Sequence, residues 1–169
     1  MTIPQFTAGQ VLTAAELNAM VDAINAGGAV KVERFTASGT WTVPAGVTYA
    51  VAHIQAGGGG VGLSSGAGGS SSVAFAGGTV TAAGGAASIL TNLSGANDAT
   101  AGSANSGRAA QGLASTSYNQ IAQDGALITA GATVTPAASI TVTVGAGGVA
   151  GTNGAAGGSG YVYIEYQGG

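Results

Sequence analysis

A chain of 169 residues that carries 33 glycines, many of them set beside β-branched runs, is constrained first by its glycine. Residues 40–60, TWTVPAGVTYAVAHIQAGGGG, lead a dense β-forming stretch straight into four consecutive glycines. Glycine loses more conformational freedom on ordering than any other residue, so its free use in a folded chain implies positive φ or close backbone approach. A collagen-like fibre is excluded because the glycines keep no three-residue period along the sequence. Full disorder is opposed by the β-branched runs that recur between the glycine clusters. The expectation is a single β domain with a short appendage. In it the strands are the scaffold, and the glycine tracts are displayed as loops that offer bare amide groups; permissive linkers are the alternative for the tracts.

Charge bounds the surface. Charged residues are 5% of the chain, three basic and six acidic, against about 25% in an ordinary soluble domain. With a mean hydropathy of +0.40, so weakly charged an exterior predicts an obligate oligomer. The cations Lys31, Arg34 and Arg108 are scattered and form no basic stripe, so nucleic acid is not an expected partner. There is no cysteine for a disulfide or thiolate metal site. The opening MTIPQFTAGQ does not read as a secretory signal, and the apolar run 47–56 is far shorter than a membrane helix requires.

The first 28 residues read as a separate N-terminal segment, with residues 29–169 as the glycine-rich β domain. In Leu12-Thr13-Ala14-Ala15-Glu16-Leu17, Thr13 and Glu16 form a capping box, and Leu12 and Leu17 the matching hydrophobic staple. Leu17, Met20, Val21 and Ile24 then follow at spacings of three and four, giving one apolar stripe, and Gly27 stops the helix. A helix of about 13 residues is marginal alone, so this stripe is expected to pack on its own copies, docking on its own β domain being the alternative.

Beyond Ala29 the period changes. Val30 to Thr36, Trp41 to Val43, Tyr49 to Gln55, Ser72 to Ala76, Thr79 to Ala82 and Ser88 to Leu93 read as strands, as do Ala126 to Thr129, Thr133 to Thr135, Ser139 to Val144 and Tyr161 to Tyr166. Turns are expected at Ser38-Gly39 and Pro44-Ala45-Gly46. Tyr161, Tyr163 and Tyr166 are read as sharing one face, opposite Val162 and Ile164. The polar stretch 94–124 is too long for a passive connection and is expected to be either functional or disordered.

Three groups of residues resemble a known class. They are Phe35 to Thr48 with its strand into Gly57–Gly60; Thr141-Val-Thr-Val-Gly145-Ala-Gly-Gly148; and Gly158-Ser-Gly160-Tyr-Val-Tyr-Ile164-Glu165-Tyr166. They resemble the glycine-rich β domains of bacteriophage tail-fibre and minor structural proteins, and Phe6 to Asn18 looks like the opening of many phage appendage proteins. The resemblance covers the two ends of the chain and not residues 64–132. It implies a virion protein, commonly homotrimeric, attached to other virion proteins by its N-terminus and displaying its β domain outward. Some phage adhesins pack long polyglycine segments as a sandwich of extended helices. Here the longest glycine run is four, with Ala, Ser and Thr intervening, so the expectation is instead a jelly-roll-like β sandwich with glycine-rich loops, preceded by the short α-helix.

Catalytic chemistry finds no foothold. His53 is the sole histidine, lies mid-strand, and adjoins no serine nucleophile elbow. It reads as a packed or solvent-facing strand residue, a ring of three copies on a trimer axis being a second reading. No two carboxylates share a motif for glycoside hydrolysis, and the glycine tracts lack the aspartates of calcium repeats. Gly57 to Gly62 is followed by no Lys and no helix, so it is not a phosphate loop. No enzyme activity, cofactor or metal is expected. Trp41 is read as a core anchor, with sugar stacking the alternative. Arg108, Tyr118 and Asn119, within the polar stretch, are the candidate receptor-binding residues, a host-surface glycan or protein being the ligand.

Overall fold

The computed structural model describes residues 13–15, 17, 18, 21, 28–89, 98–113 and 119–168. Most of the expected helix, including Met20 and Ile24, lies outside them. Within that segment the Leu17 N–H donates to the Thr13 carbonyl at 3.1 Å, and the described residues there make up no complete helix. Leu17 and Val21 are exposed at 51% and 47%.

Among its described residues the β domain has fourteen strands. In chain order they are β1 Val30–Phe35, β2 Gly39–Thr42, β3 Tyr49–Gln55, β4 Val61–Leu63, β5 Ser71–Phe75, β6 Gly78–Ala82 and β7 Ser88–Ile89. Then come β8 Asp98–Thr100, β9 Gln111–Leu113, β10 Asn119–Ile121, β11 Leu127–Thr133, β12 Ser139–Thr143, β13 Thr152–Ala155 and β14 Tyr161–Gln167. Two four-stranded antiparallel sheets, β1-β14-β3-β11 and β2-β12-β5-β6, face each other. The mainly β, sandwich-like fold expected from alternation is therefore present.

Alternation explains the core. On β3, Ala50, Ala52 and Ile54 point inward and are buried; on β14, Val162 and Ile164 do the same. From the other sheet come Trp41, Val73, Phe75, Ile140 and Val142. Burial of each large aliphatic contributes about 1.5–3 kcal/mol, so this layer supplies the hydrophobic part of the stability. Trp41 is 3% exposed, the core anchor that its extended context predicts.

Tyr166 departs from the sequence reading. It is even-numbered like Val162 and Ile164, so the two-residue period puts it on the inner face, where its ring lies 5.4 Å from that of Trp41. Tyr161 and Tyr163 alone share the outer face, their rings 4.9 Å apart. Arg34 of β1 sits over the Tyr163 ring at 5.5 Å. The segment read as Ala126 to Thr129 runs on through Gly131 to Thr133 as one strand, β11, paired with β3 from Leu127–Gln55 to Thr133–Tyr49, and Val134 and Thr135 lie beyond its end. Gly131 leaves room on this strand for the end of the Tyr49 side chain, which a Cβ there would meet. At the Pro44-Ala45-Gly46 turn, the Val47 N–H donates to the Pro44 carbonyl and Gly46 takes φ +78°, as the third residue of a type II turn requires.

The sandwich has a polarity. β3, β6 and β12 leave it at one end, and β5, β11 and β14 enter it from that same end; at each of these six points the adjoining chain is a glycine- or alanine-rich tract. Val30, where the N-terminal segment enters, pairs with Gln167, whereas Phe35 pairs with Val162 near the tract-bearing end. The N-terminal segment thus joins the sandwich at the end opposite the glycine tracts.

Candidate functional site

The glycine tracts are not displayed loops. Residues 56–61 form the centre of a hydrogen-bonded bundle and are buried along their whole length. The N–H groups of Gly57 and Gly60 donate to Gly69 and Gly66; those of Ala56 and Gly59 donate to Ala126 and Gln123; that of Gly58 donates to Gly158. The carbonyls alternate in the same way. Gly57 and Gly60 accept from Gly85 and Ser88, Gly58 and Val61 from Gly148 and Gly151, and Gly59 from Ala110, all at 2.8–3.1 Å.

Positions three apart meet the same neighbouring segment, which is the signature of an extended helix with three residues per turn and no internal hydrogen bonds. The central segment therefore has six neighbours, and these also bond to one another in a closed ring. Gly69 donates to Ala146, Gly157 to Gly148 and Gly158 to Arg108; Gly125 donates to Gly107, Gln123 to Ala86 and Gly68 to Gly85. Chain direction alternates around the ring. In these six bonds descending segments donate to ascending ones, the Gly107 N–H to the Ser159 carbonyl being the reverse, and the central segment donates to the descending three and accepts from the ascending three.

Glycine is required at the centre because the backbones are in contact. A Cβ on Gly57, Gly58, Gly59 or Gly60 would lie within 3.0 Å of backbone atoms of Ala146, Arg108, Ala86 or Val149 respectively. In the outer segments every third position is turned inward, and the adjoining Gly84, Gly147 and Gly157 also leave no room for a Cβ against neighbouring backbone. Ala82 and Gly85, Gly107 and Ala110, Ala122 and Gly125, Gly145 and Gly148, and Ala155 and Gly158 are buried. Ala83, Ala86, Arg108, Gln123, Ala146, Val149 and Ala156 between them are exposed. Alanine substitutes for glycine at several inward sites, so the three-residue period is real but invisible in glycine spacing. The expectation of glycine-rich loops, and of no packed glycine helices, is corrected on this ground.

Two buried polar side chains join ladder to bundle. Where the two-residue period gives way to three, some backbone groups lose their strand partners, and buried ones must be met otherwise. Gln55 Nε2 donates to the Gly125 carbonyl at 2.7 Å. Ser71 Oγ donates to the Gln55 carbonyl at 2.8 Å and accepts the Gly145 N–H at 2.9 Å. On the bundle's flank, Asp124 Oδ1 accepts the Ala109 N–H at 2.6 Å and ties two ring segments together.

Beyond the bundle the chain returns to β structure at its far end, the tip. One three-stranded sheet is β13-β4-β7 and another is β10-β9-β8. They meet over a small apolar cluster of Val61, Ala109, Ala110, Ala122 and Ala155. The polar stretch 94–124, expected to be functional or disordered, supplies β8, β9 and β10 as well as the ring segments 107–110 and 122–126. Ser64 directly after β4 and Asn153 within β13, at the strand's register shift, both have φ near +60° and mark tight bends in the chain.

The candidate residues are divided between levels. Asn119 opens β10 at the tip and pairs with Leu113. Arg108 is exposed on the flank, its carbonyl accepting from Gly158, and five residue steps of extended chain separate it from Leu113, roughly 15 Å. Tyr118 lies outside the described residues. His53 stands on the outer face of the first sheet, with Nδ1 3.0 Å from Thr129 Oγ1 and Nε2 3.5 Å from Glu165 Oε2. Among the described residues no group of three or more His, Cys, Asp or Glu could hold a metal, and no helix is long and apolar enough to cross a membrane. No family model, curated protein or solved structure matches the chain.

Proposed function

We propose that this chain is a phage virion appendage that binds the host surface through the tip, its N-terminal segment fixed to other virion proteins and its copies arranged as a homotrimer. The observation that carries this reading is the polarity of the molecule. The N-terminal segment enters at one end of the sandwich, and the tip stands at the other, raised on a bundle whose central amides are all bonded internally. Such a pillar presents a binding surface at a distance from its attachment and leaves recognition to side chains rather than to bare glycine backbone.

We also read the sandwich as a jelly roll. Numbering only its eight strands, the sheets run 1-8-3-6 and 2-7-4-5. This is the order made by rolling up one long hairpin, in which the first strand pairs with the eighth, the second with the seventh, the third with the sixth and the fourth with the fifth.

The test is adsorption. Purified protein should label cells that the phage infects and compete with phage adsorption, and Asn119→Ala with Tyr118→Ala should weaken both. Protein that neither binds nor competes would sink the receptor reading and favour a purely structural fibre or decoration contacting only virion proteins. Release of reducing ends from host polysaccharide would show an enzyme instead.

A further inference from the structure

We propose that the groove at the base of the sandwich receives the Leu17–Val21 stripe of a neighbouring copy. This inference rests on the oligomeric part of the reading above, not on receptor binding. The groove, about 840 Å³, lies where the N-terminal segment enters, and Val30, Tyr49, Val51, Glu165 and Gln167 are among its lining residues. Val30 is 61% exposed and Tyr49 55%; Val32, beside them on the same face, is 54% exposed. Glu165 and Gln167 of β14 lie between β1 and β3 on this face, and the large apolar side chains on either side of them are exposed surface that a contact could cover.

A single chain carries both halves of a contact and closes neither. Leu17 and Val21, four residues apart and so on one side of the expected helix, both stay about half exposed. The groove also stays open. The chain between Val21 and Val30 spans nine residue steps, a reach of about 30 Å at most, and it ends at the groove's own margin. That reach would serve its own groove or a neighbour's alike, and it is the stripe's staying half exposed beside an open groove that points to the neighbour. Such a head-to-tail contact joins unlike surfaces and closes into a ring when the rotation permits. Most of both surfaces is apolar, and the Glu165 side chain at the groove is 45% exposed, so its carboxylate can keep its contact with water.

The absence of cysteine makes the test direct. Full-length protein carrying both Val21→Cys and Tyr49→Cys should, on mild oxidation, give a covalent ladder that stops at the copy number found by sedimentation of the unmodified chain, three in a trimer. A disulfide within one chain, with no ladder, would show the stripe on its own groove and overturn the proposal. No disulfide at all would also overturn it. Leu17→Asp and Val30→Asp should each weaken self-association about tenfold or more while leaving the far-UV circular dichroism unchanged, and Leu17→Asp with Val30→Lys should recover part of the loss. Unchanged association in both single variants would count against the contact, even if sedimentation still shows an oligomer.

Discussion

The sandwich and the glycine bundle solve the same problem in opposite ways. In the sandwich, strands stand apart and side chains fill the space between sheets: Ile54, Val73, Val142, Val162 and Ile164 are fully buried there. In the bundle there is almost no side chain to bury, and the backbones themselves touch. Ile54 and Gly57 are three residues apart on one continuous run, yet the first is held by hydrophobic contact and the second by hydrogen bonds to Gly69 and from Gly85. Order does not require large side chains when backbone groups can be satisfied in every direction.

That difference makes opposite demands on substitution. The largest effect is expected from enlarging the bundle's centre. Gly58→Val would drive a side chain into the Arg108 and Ala109 backbone, which cannot yield as a flexible side chain would, and should cost about 3 kcal/mol or more. The measurement is denaturant unfolding, with failure to obtain folded protein as the extreme outcome. A variant as stable as the parent would break the comparison. In the sandwich the demand is reversed: shrinking is what costs. Ile54→Ala should lose about 2–5 kcal/mol in the same assay through the cavity it leaves.

The junction gives an intermediate effect. Ser71→Ala removes a hydroxyl that donates to the Gln55 carbonyl and accepts the Gly145 N–H, leaving two buried groups unpaired. The expected loss is about 1–3 kcal/mol, and Ser71→Cys should not restore it fully, since a thiol is the weaker partner. The smallest effect sharpens the contrast. Gly77, in the β5–β6 turn, has open space where a Cβ would stand, so Gly77→Ala should change stability by no more than about 0.5–1 kcal/mol, in the stabilising direction. A large loss there would mean that glycine serves the fold for reasons other than backbone contact.

The same contrast explains what could be read beforehand. Strand alternation is local, so β3, β5, β6, β12 and β14, the core place of Trp41 and the turn at Gly46 were legible to within a residue or two. Tyr166 was assigned to the wrong face although the period, applied strictly, puts it beside Ile164. The bundle was not legible for two physical reasons. Its inward sites accept alanine as well as glycine, as at Ala82 with Gly85 and Ala155 with Gly158, which hides the three-residue period. Its bonds also join residues far apart in sequence, Gly58 to Gly158 and Gly59 to Gln123, and no local pattern announces such partners. Gln55 and Ser71 were passed over because a polar residue in a strand ordinarily signals a solvated face, whereas here both are buried at the change of period. The candidate residues Arg108 and Asn119 fall at different heights because the polar stretch, read as one loop, both climbs the flank and forms the tip.

The central assertion is that Gly57 to Gly60 are the most enclosed backbone of the molecule. Residue-resolved amide hydrogen exchange tests it directly. The Gly57, Gly58, Gly59 and Gly60 amides should exchange as slowly as that of Ile54 in the core strand, opening only with global unfolding. Exchange of those four glycines within minutes, at the rate of an open loop, while Ile54 stays protected, would contradict the bundle and return the tracts to the role of linkers.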